Sequence, residues 1–303
     1  MPAHEFQQLG RFIKPLRVPP GAKVDLAKDF DPGYHGSFVK KKDAAARLAD
    51  GVAQLSAYQD RLAAQDTYAL LIVLQALDAA GKDGTIKHVM SGVNPQGVSV
   101  YSFKVPSAEE LSHDYLWRYA NCLPPRGRIG IFNRSYYEEV LVVRVRPENL
   151  DRQRLPPSAR TGDIWQRRFR DINNWERYLV DNGIRIVKLF LNLSYEEQRR
   201  RFLSRIDTPE KNWKFSAADA RERERWNDYQ HAYSEVLSRT STRWAPWHVI
   251  PADRKWFARL AAASVILNEL VRIDPQYPEV GQGKLRELQE IRARLVGGAD
   301  GAA

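Results

Sequence analysis

The sequence predicts an α/β fold: a parallel sheet covered by helices on both faces, with a helical lid. Apolar runs and amphipathic stretches alternate along most of the chain, which is typical of strands and helices that build such a sheet. The first long apolar run, residues 67–77, leads into Gly81-Lys82 and the start of a helix, the context of a phosphate-binding loop. Near residues 199–225 a Pro-broken turn joins two basic helical stretches, which predicts a mobile lid over that loop.

Composition narrows the class of protein. The chain has 303 residues, 43% of them apolar, and a formal net charge of +10, so it is long enough for one large α/β domain. The excess of positive charge favours a polyanionic partner, although a basic surface bias would explain it equally well. The single cysteine, the lack of a long apolar run and the lack of a signal core predict a cytoplasmic protein that binds no membrane.

Each strand of the predicted sheet follows from a short apolar run. The run at 67–77 is continuous, which is typical of a strand buried on both faces. Four further strands are predicted at 98–103, 128–132, 184–193 and 247–251.

The helices follow from apolar spacing and from capping residues. Leucines and a valine at helical spacing predict a helix over 43–64. Ser107 with Glu110 resembles a capping box, which predicts a helix through about residue 121. Further helices are predicted from Ser135 through Val143, around Trp165 to Leu179, after the caps Ser194 and Ser216, at 254–273 and at 284–296.

These elements form one α/β domain over residues 43–275, with its lid at about 199–225. Residues 1–42 are basic and punctuated by Pro and Gly, so we expect an irregular N-terminal arm. Residues 276–303 carry a C-terminal helix and a tail, and the last stretch, "GGADGAA", is expected to be disordered.

The stretch "QALDAAGKDGTIKHVM" (75–90) carries the strongest chemical signal. Backbone N–H groups at the start of a helix, with Lys82 beside them, would cradle an anion. The usual first Gly is replaced by Ala76, and Asp83 stands where the magnesium-binding hydroxyl belongs. Asp78 would be repelled by bound phosphates unless it held Mg²⁺, or it is simply a turn-former bonded to its own backbone.

A second polar stretch, "IFNRSYYEEV" (131–140), follows the third predicted strand. Ligands of parallel sheets bind outside the carboxyl ends of the strands, so Asn133, Arg134 and Glu138 are expected near the bound anion. Alternatively, Arg134 and Glu138 only pair with each other on a solvated helix face. The basic run at 199–215 has the same alternative.

Taken together, "LQALDAAGKDGTIKHVM", "IFNRSYYEEVLVVRV", "RIDTPEKNWKF" and "RWAPWHVIPADRKW" resemble the type-2 polyphosphate kinase family over residues 43–275. The sequence is most similar to class III, whose members phosphorylate nucleoside monophosphates and diphosphates from inorganic polyphosphate. This resemblance implies a P-loop kinase core with a helical lid, related to thymidylate kinase. It also implies a homodimer or homotetramer.

The resemblance assigns roles to individual residues. The catalytic residues would be Asp78, Lys82, Arg134, Glu138 and Arg205, with Mg²⁺, or Mn²⁺ in its place, held by Asp78 and Glu138. Polyphosphate would contact the loop and a cationic groove, made of Ala79, Ala80, Gly81, Asp83, Gly84, Thr85, Lys87, Arg118, Lys211 and Lys214. The nucleotide would contact Asn94, Phe103, Lys104, Asn133 and Tyr137.

One position departs from the family pattern. Most members have an Asp-Arg-Ser at the second motif and an Asn a few residues later, whereas this chain has Asn133 and Glu138 at those places. The metal ligands are therefore expected at Asp78 and Glu138 and not at position 133.

The expected activity is Mg²⁺-dependent, reversible transfer of a terminal phosphoryl group from polyphosphate to AMP and ADP. Two alternatives remain open: an ATP-dependent nucleoside monophosphate kinase of the same fold, and a nucleic-acid-binding protein. Against the second, the basic residues gather around a phosphate loop and not on one recognition helix, so no nucleic-acid partner is expected.

Overall fold

A five-stranded sheet, in which every neighbouring pair of strands is parallel, forms the centre of the protein. The computed structural model describes residues 3–36 and 40–297, apart from the side chains of Lys214, Ala217 and Gly297. The strands, in the spatial order 2-3-1-4-5, are β1 (Ala69–Ala76), β2 (Val98–Ser102), β3 (Ile129–Asn133), β4 (Ile184–Asn192) and β5 (Trp247–Pro251). All five lie where the sequence predicts them, and the predicted α/β class is confirmed.

Helices connect the strands and cover the sheet. The α-helices are α1 (Ala3–Ile13), α2 (Leu26–Asp29), α3 (Ala44–Gln65), α4 (Lys82–Val89), α5 (Trp117–Ala120), α6 (Val142–Val145), α7 (Glu148–Asp151), α8 (Pro157–Arg160), α9 (Ile164–Asp181), α10 (Tyr195–Ile206), α11 (Ala217–Glu224), α12 (Trp226–Thr240), α13 (Lys255–Ile273) and α14 (Gln282–Gly297). Short 3₁₀ helices span Lys14–Leu16, Lys41–Asp43, Pro95–Gly97, Glu110–Ser112, Tyr136–Val140 and Pro209–Lys214.

Two hydrophobic cores lie on opposite faces of the sheet. On one face, α13 packs against α1, α3 and α4, so that Leu62 and Leu267 join one buried cluster with alternate residues of β1. On the other face, α9 and α12 pack together over Phe190 and Trp247. β1 contributes to both clusters, which explains why its sequence is apolar at nearly every position.

The N-terminal arm is irregular only in part, because its described residues include α1, α2 and a 3₁₀ turn. It begins with helix α1, and Leu16 and Val18 are buried in the two cores. The arm then covers the edge strand β5, because the backbone N–H of Val18 donates to the Trp247 carbonyl at 2.9 Å and Arg17 forms a bridge with His248. This contact leaves fewer backbone groups of the edge strand free to pair with another chain.

Two predicted helices are broken into shorter pieces. The Ser107–Glu110 capping bonds form, but only the 3₁₀ turn Glu110–Ser112 follows, and beyond it the Asp114 carboxylate accepts from the backbone N–H of Leu116. The helix expected from Ser135 is a 3₁₀ turn followed by α6, with Leu141 in a non-helical conformation between them. The N-caps of Ser194 and Ser216 form as predicted.

The C-terminal helix α14 forms where it is expected, and its apolar side chains remain exposed. Disorder is expected over 297–303; Gly297 is the last residue of α14, and residues 298–303 lie outside the described residues. Within residues 3–36 and 40–297, no helix is both long enough and apolar enough to cross a membrane.

Candidate active site

The phosphate loop occupies the carboxyl end of β1, the central strand. Ala79 and Gly81 both have left-handed backbone conformations, with φ of 65° and 103°, and α4 begins at Lys82 immediately after them. A left-handed conformation is costly for alanine, and such strain persists where the surrounding structure imposes it. Alternating conformations of this kind turn successive backbone N–H groups toward one point, as anion-binding loops do.

Arg201, on helix α10, holds the carbonyl side of this loop. Its guanidinium donates to the carbonyls of Ala79 and Ala80 at 3.0 and 2.9 Å, and to the Ala252 carbonyl after β5 at 2.6 Å. Its Nε donates to Glu197 at 2.8 Å. The sequence groups Arg201 with the solvent-facing cations of the lid, but only 8% of the residue is exposed. The sequence did not predict its role in supporting the loop. Arg199, Arg200 and Arg201 are consecutive arginines, and the sequence does not show which of them faces the loop.

Lys82 lies inside the site and is partly stripped of water. Its ammonium group donates to the carbonyl of Ala76 at 2.9 Å. Burial lowers the pKa of Lys82, and the positive charge of Arg134 lowers it further, while the carboxylates of Asp78 and Glu138 act in the opposite direction. A phosphate brought to this ammonium would be attracted strongly, because little water remains to screen the two charges.

Arg134 joins the second motif to the phosphate loop. Its guanidinium lies 3.0 Å from Asp78 and 3.9 Å from Glu138, and its φ of 65° is left-handed. Glu138, whose other oxygen accepts from the Gln75 amide at 3.0 Å, raises the pKa of Arg134, as Asp78 does. The closer partner, Asp78, is 56 positions away in the chain. The alternative of a merely local helix pair is therefore wrong.

Asn133 lies at the end of β3 and contacts the opening of α4. Its amide donates to Asp83 at 2.8 Å and lies 3.3 Å from the Ser102 hydroxyl, while its Oδ1 is buried without a hydrogen-bond partner. A buried acceptor of this kind calls for a ligand, a water or a cation. Thus Asn133 does contact the loop, as the sequence predicts.

The donor set suits a magnesium ion that is shared with a substrate. Among the described residues no three acidic, His or Cys side chains group closely enough to hold a metal by themselves. Asp78 and Glu138 nevertheless converge on Arg134. Mg²⁺ usually takes one or two carboxylates and completes its shell with phosphates and water. The residues therefore fit this ion in a complex with phosphate.

The lid segment brings further cations to the same end of the sheet. Burial lowers the pKa of Lys255, at the start of α13, and the charges of Arg201, Arg259, Lys211 and Arg205 lower it further. The structure thus brings the predicted Arg205 and Lys211 near Lys255. The sequence signal for Lys255 is its place in "PADRKW", directly after the last strand.

The structure places three of the predicted nucleotide contacts away from the loop or inside the protein core. Asn94 precedes β2 and lies at the amino end of the parallel sheet, away from the loop, where its side chain caps a 3₁₀ turn. Tyr137 is fully buried and its hydroxyl donates to Glu176 at 2.8 Å. Phe103 packs in the core against Phe132. Lys104 is exposed just beyond the carboxyl end of β2, on the side where a ligand would bind.

The predicted cationic groove is only partly present. Arg118 pairs with Glu110 at 3.2 Å and its side chain is 9% exposed, so it is not a free groove cation. Lys87 is exposed more than one turn beyond Lys82 on α4, and Gly84 and Thr85 belong to the first turns of that helix. The side chain of Lys214 lies outside the described residues.

Comparison with known proteins identifies the family. The model of the family described as Polyphosphate kinase 2 (PPK2) matches residues 38–278. The chain belongs to the polyphosphate kinase 2 family. It is 50% identical over 287 residues to an ADP-polyphosphate phosphotransferase of Rhodopseudomonas palustris, covering 93% of this chain and 98% of that one. It is 44% identical to an AMP/ADP-polyphosphate phosphotransferase of Meiothermus ruber, covering 88% and 96% of the two chains.

A solved structure leads to the same family. The crystal structure of polyphosphate kinase 2 from Arthrobacter aurescens superposes with a TM-score of 0.81 at 39% identity, over 90% of this chain and 94% of that one. The predicted P-loop kinase-like fold and the resemblance to type-2 polyphosphate kinases are confirmed. The protein is a phosphotransferase, as the sequence predicts.

Proposed function

We propose that this member of the polyphosphate kinase 2 family transfers the terminal phosphoryl group of inorganic polyphosphate to AMP and to ADP, forming ADP and ATP. The observation that carries the proposal is the convergence of Lys82, Arg134, Asp78 and Glu138 at the carboxyl end of β1. The names of the two relatives, which specify ADP in one case and AMP or ADP in the other, support it.

The residues act by position and charge. Lys82 and the backbone N–H groups after Ala79 bind phosphate oxygens at the loop. The guanidinium of Arg134 binds oxygens of the phosphoryl group that is transferred. The acceptor oxygen of a nucleotide phosphate is already an anion near neutral pH, so no strong general base is required. Arg205 and Lys211 supply positive charge from the lid segment and exclude water when it closes.

A magnesium ion completes the proposed site. Asp78 and Glu138 would hold it, and Mn²⁺ is expected to substitute for it. When bound, the ion neutralises phosphate oxygens of the donor and the acceptor. The phosphoanhydride bond broken resembles the one formed, so the reaction is expected to be reversible. A homodimer or homotetramer, a cytoplasmic location and the lack of a nucleic-acid partner stay predictions.

One assay tests the proposal. Purified protein is incubated with Mg²⁺, long-chain polyphosphate and AMP, without ATP, and the nucleotides are separated by chromatography over time. We expect ADP first and ATP afterwards, and no product when polyphosphate is omitted or the metal is chelated. Formation of ADP only when ATP replaces polyphosphate would instead identify an ATP-dependent monophosphate kinase. Salt-sensitive oligonucleotide binding without any turnover would identify a nucleic-acid-binding protein.

A further inference from the structure

A second cationic cavity lies at the other end of the sheet from the phosphate loop. Its volume is about 350 Å³. It lies between α1, the residues that directly follow α1, β4, β5 and the second half of α13. Ile186 on β4 lines this cavity, whereas Leu191 on β4 pairs with the last residue of β1, at the loop. Five residues of strand separate the two positions, which is about 16 Å.

The charges around the cavity favour an anion. Lys14, Arg17 and Arg272 line it, and both Lys14 and Arg17 are exposed and have no carboxylate partner among the described residues. Glu269 is the acidic residue of the lining, and its charge is offset by Arg185, whose Nε donates to it at 2.7 Å. Arg272 lies 3.7 Å from the same carboxylate. The lining therefore keeps an excess of positive charge.

A buried histidine forms part of the cavity wall. His248 is 8% exposed and lines the cavity, and its Nδ1 is buried with no hydrogen-bond partner. Burial, and after it the charge of Arg17, lowers the pKa of His248 to about 3, so the ring is neutral at physiological pH. Because the Nδ1 atom is buried, a ligand in the cavity meets the edge of a neutral ring, and the three cations supply the charge that binds it.

Apolar residues complete the lining. Ile13, Val187, Pro246 and Val265 form apolar walls that offer a polar ligand no side-chain hydrogen bond. Cations at the rim and a neutral polar group on a partly apolar wall are the features of a small-molecule pocket. Arginines are well suited to phosphate, because the planar guanidinium can donate two parallel bonds to its oxygens.

We propose that this cavity, lined by Lys14, Arg17, Arg272 and His248, is a second anion-binding site that takes phosphate groups. It does not share side chains with the catalytic loop, so its occupation does not require turnover. The phosphate could belong to a short inorganic polyphosphate or to a nucleotide. The cavity is a site of this chain in either case, and it does not depend on the proposed acceptor range.

The ring signals of ¹⁵N-labelled histidine report binding at the cavity directly. Tripolyphosphate and AMP are added in separate titrations without Mg²⁺, at constant ionic strength, and the signal of His248 is assigned with a His248→Gln variant. We expect a saturable shift of this signal. A shift with tripolyphosphate alone indicates the inorganic source, and a shift with AMP indicates the nucleotide. No shift with either compound overturns the proposal.

A double variant separates the cavity from the catalytic loop. In Arg17→Gln/Arg272→Gln the affinity reported by His248 should fall at least about tenfold, which corresponds to about 1.4 kcal/mol. The matched control, Arg286→Gln/Arg292→Gln, removes two exposed arginines from α14 and should bind like the native protein. An unchanged affinity in the cavity variant would mean that His248 senses binding elsewhere, and the proposal would be wrong.

Discussion

Arg201 donates from its guanidinium to the backbone carbonyl of Ala80 at 2.9 Å, so a lid helix and the phosphate loop are joined directly. The same side chain donates to the carbonyls of Ala79 and Ala252. Three segments that lie far apart in the sequence therefore meet at one buried cation. The orientation of the loop's carbonyls, and with it that of its N–H groups, depends on this contact.

Replacing Arg201 should disturb the loop and the stability of the fold together. Arg201→Met leaves the carbonyls of Ala79 and Ala80 and one oxygen of Glu197 without this donor, which costs roughly 1–3 kcal/mol for each unsatisfied group. We expect a lower unfolding midpoint in urea and a turnover number reduced at least tenfold. Arg199→Met, on the exposed face of the same helix, should change neither quantity. Equal behaviour of the two variants would show that Arg201 does not support the loop.

Lys82 should be essential for turnover, and its burial should lower the free energy of unfolding. Lys82→Met is expected to lower turnover by roughly two to three orders of magnitude, because it removes charge from the transferring phosphates. The lysine has a lowered pKa in the folded protein, so the unfolded chain binds more protons, and stability rises with pH between that pKa and 10.5. The free energy of unfolding, measured with urea at several pH values in this range, should depend less on pH in the variant. Lys28→Met, on the surface, is the control.

Near-normal turnover by a folded Lys82→Met protein would contradict the phosphate-loop assignment. A pH profile of stability identical to that of the native protein would show that the lysine is not desolvated.

Arg205 is expected to act mainly in the closed complex. It lies at the end of α10, and its charge reaches Lys255 at the start of α13. Arg205→Ala should lower kcat far more than it raises the nucleotide KM, because a lid cation stabilises charge that develops during transfer. Steady-state kinetics with ADP and polyphosphate measure both. A change confined to KM would make Arg205 a residue of ground-state binding.

Glu138 is expected to influence which acceptor is used. Its carboxylate lies on the 3₁₀ turn after β3, between Gln75 and Arg134. The reactive oxygens of AMP and ADP lie about one phosphate unit apart, so a site that serves both needs a longer, adjustable carboxylate. Glu138→Asn should therefore impair AMP phosphorylation more than ADP phosphorylation. Parallel rate measurements decide this, with the exposed Glu148→Asn as control, and equal losses on both acceptors would refute it.

The buried pair of Lys188 and Glu176 should matter for stability. Both side chains are fully buried, 2.7 Å apart, and the hydroxyls of Tyr136 and Tyr137 donate to the same carboxylate. Lys188→Met leaves a buried charge without its partner and should cost about 3–5 kcal/mol. Lys188→Met/Glu176→Gln should recover part of this loss. Urea unfolding of both variants tests it, and a more stable single variant would contradict the prediction.

The sequence by itself determined the sheet and the location of the loop. The continuous apolar run of β1 requires burial on both faces, and the turn after it precedes a helix beginning at Lys82. The spacing of apolar residues within a short segment distinguishes a strand from a helix, so these elements can be predicted from the local sequence. The motifs at Asp78 and Arg134 were also predicted to meet, because parallel strands end at one edge of the sheet.

Only the tertiary structure decided which polar side chains face the site. Tyr137 and Glu138 are adjacent in the sequence, yet one is buried on Glu176 and the other lies beside Arg134. Arg201 faces the phosphate loop, 121 positions away, while Arg199 faces solvent. Such contacts depend on how helices pack across the sheet, and the energy of that packing comes from residues far apart in the chain. The local pattern therefore predicts the elements, and the packing decides the roles of their side chains.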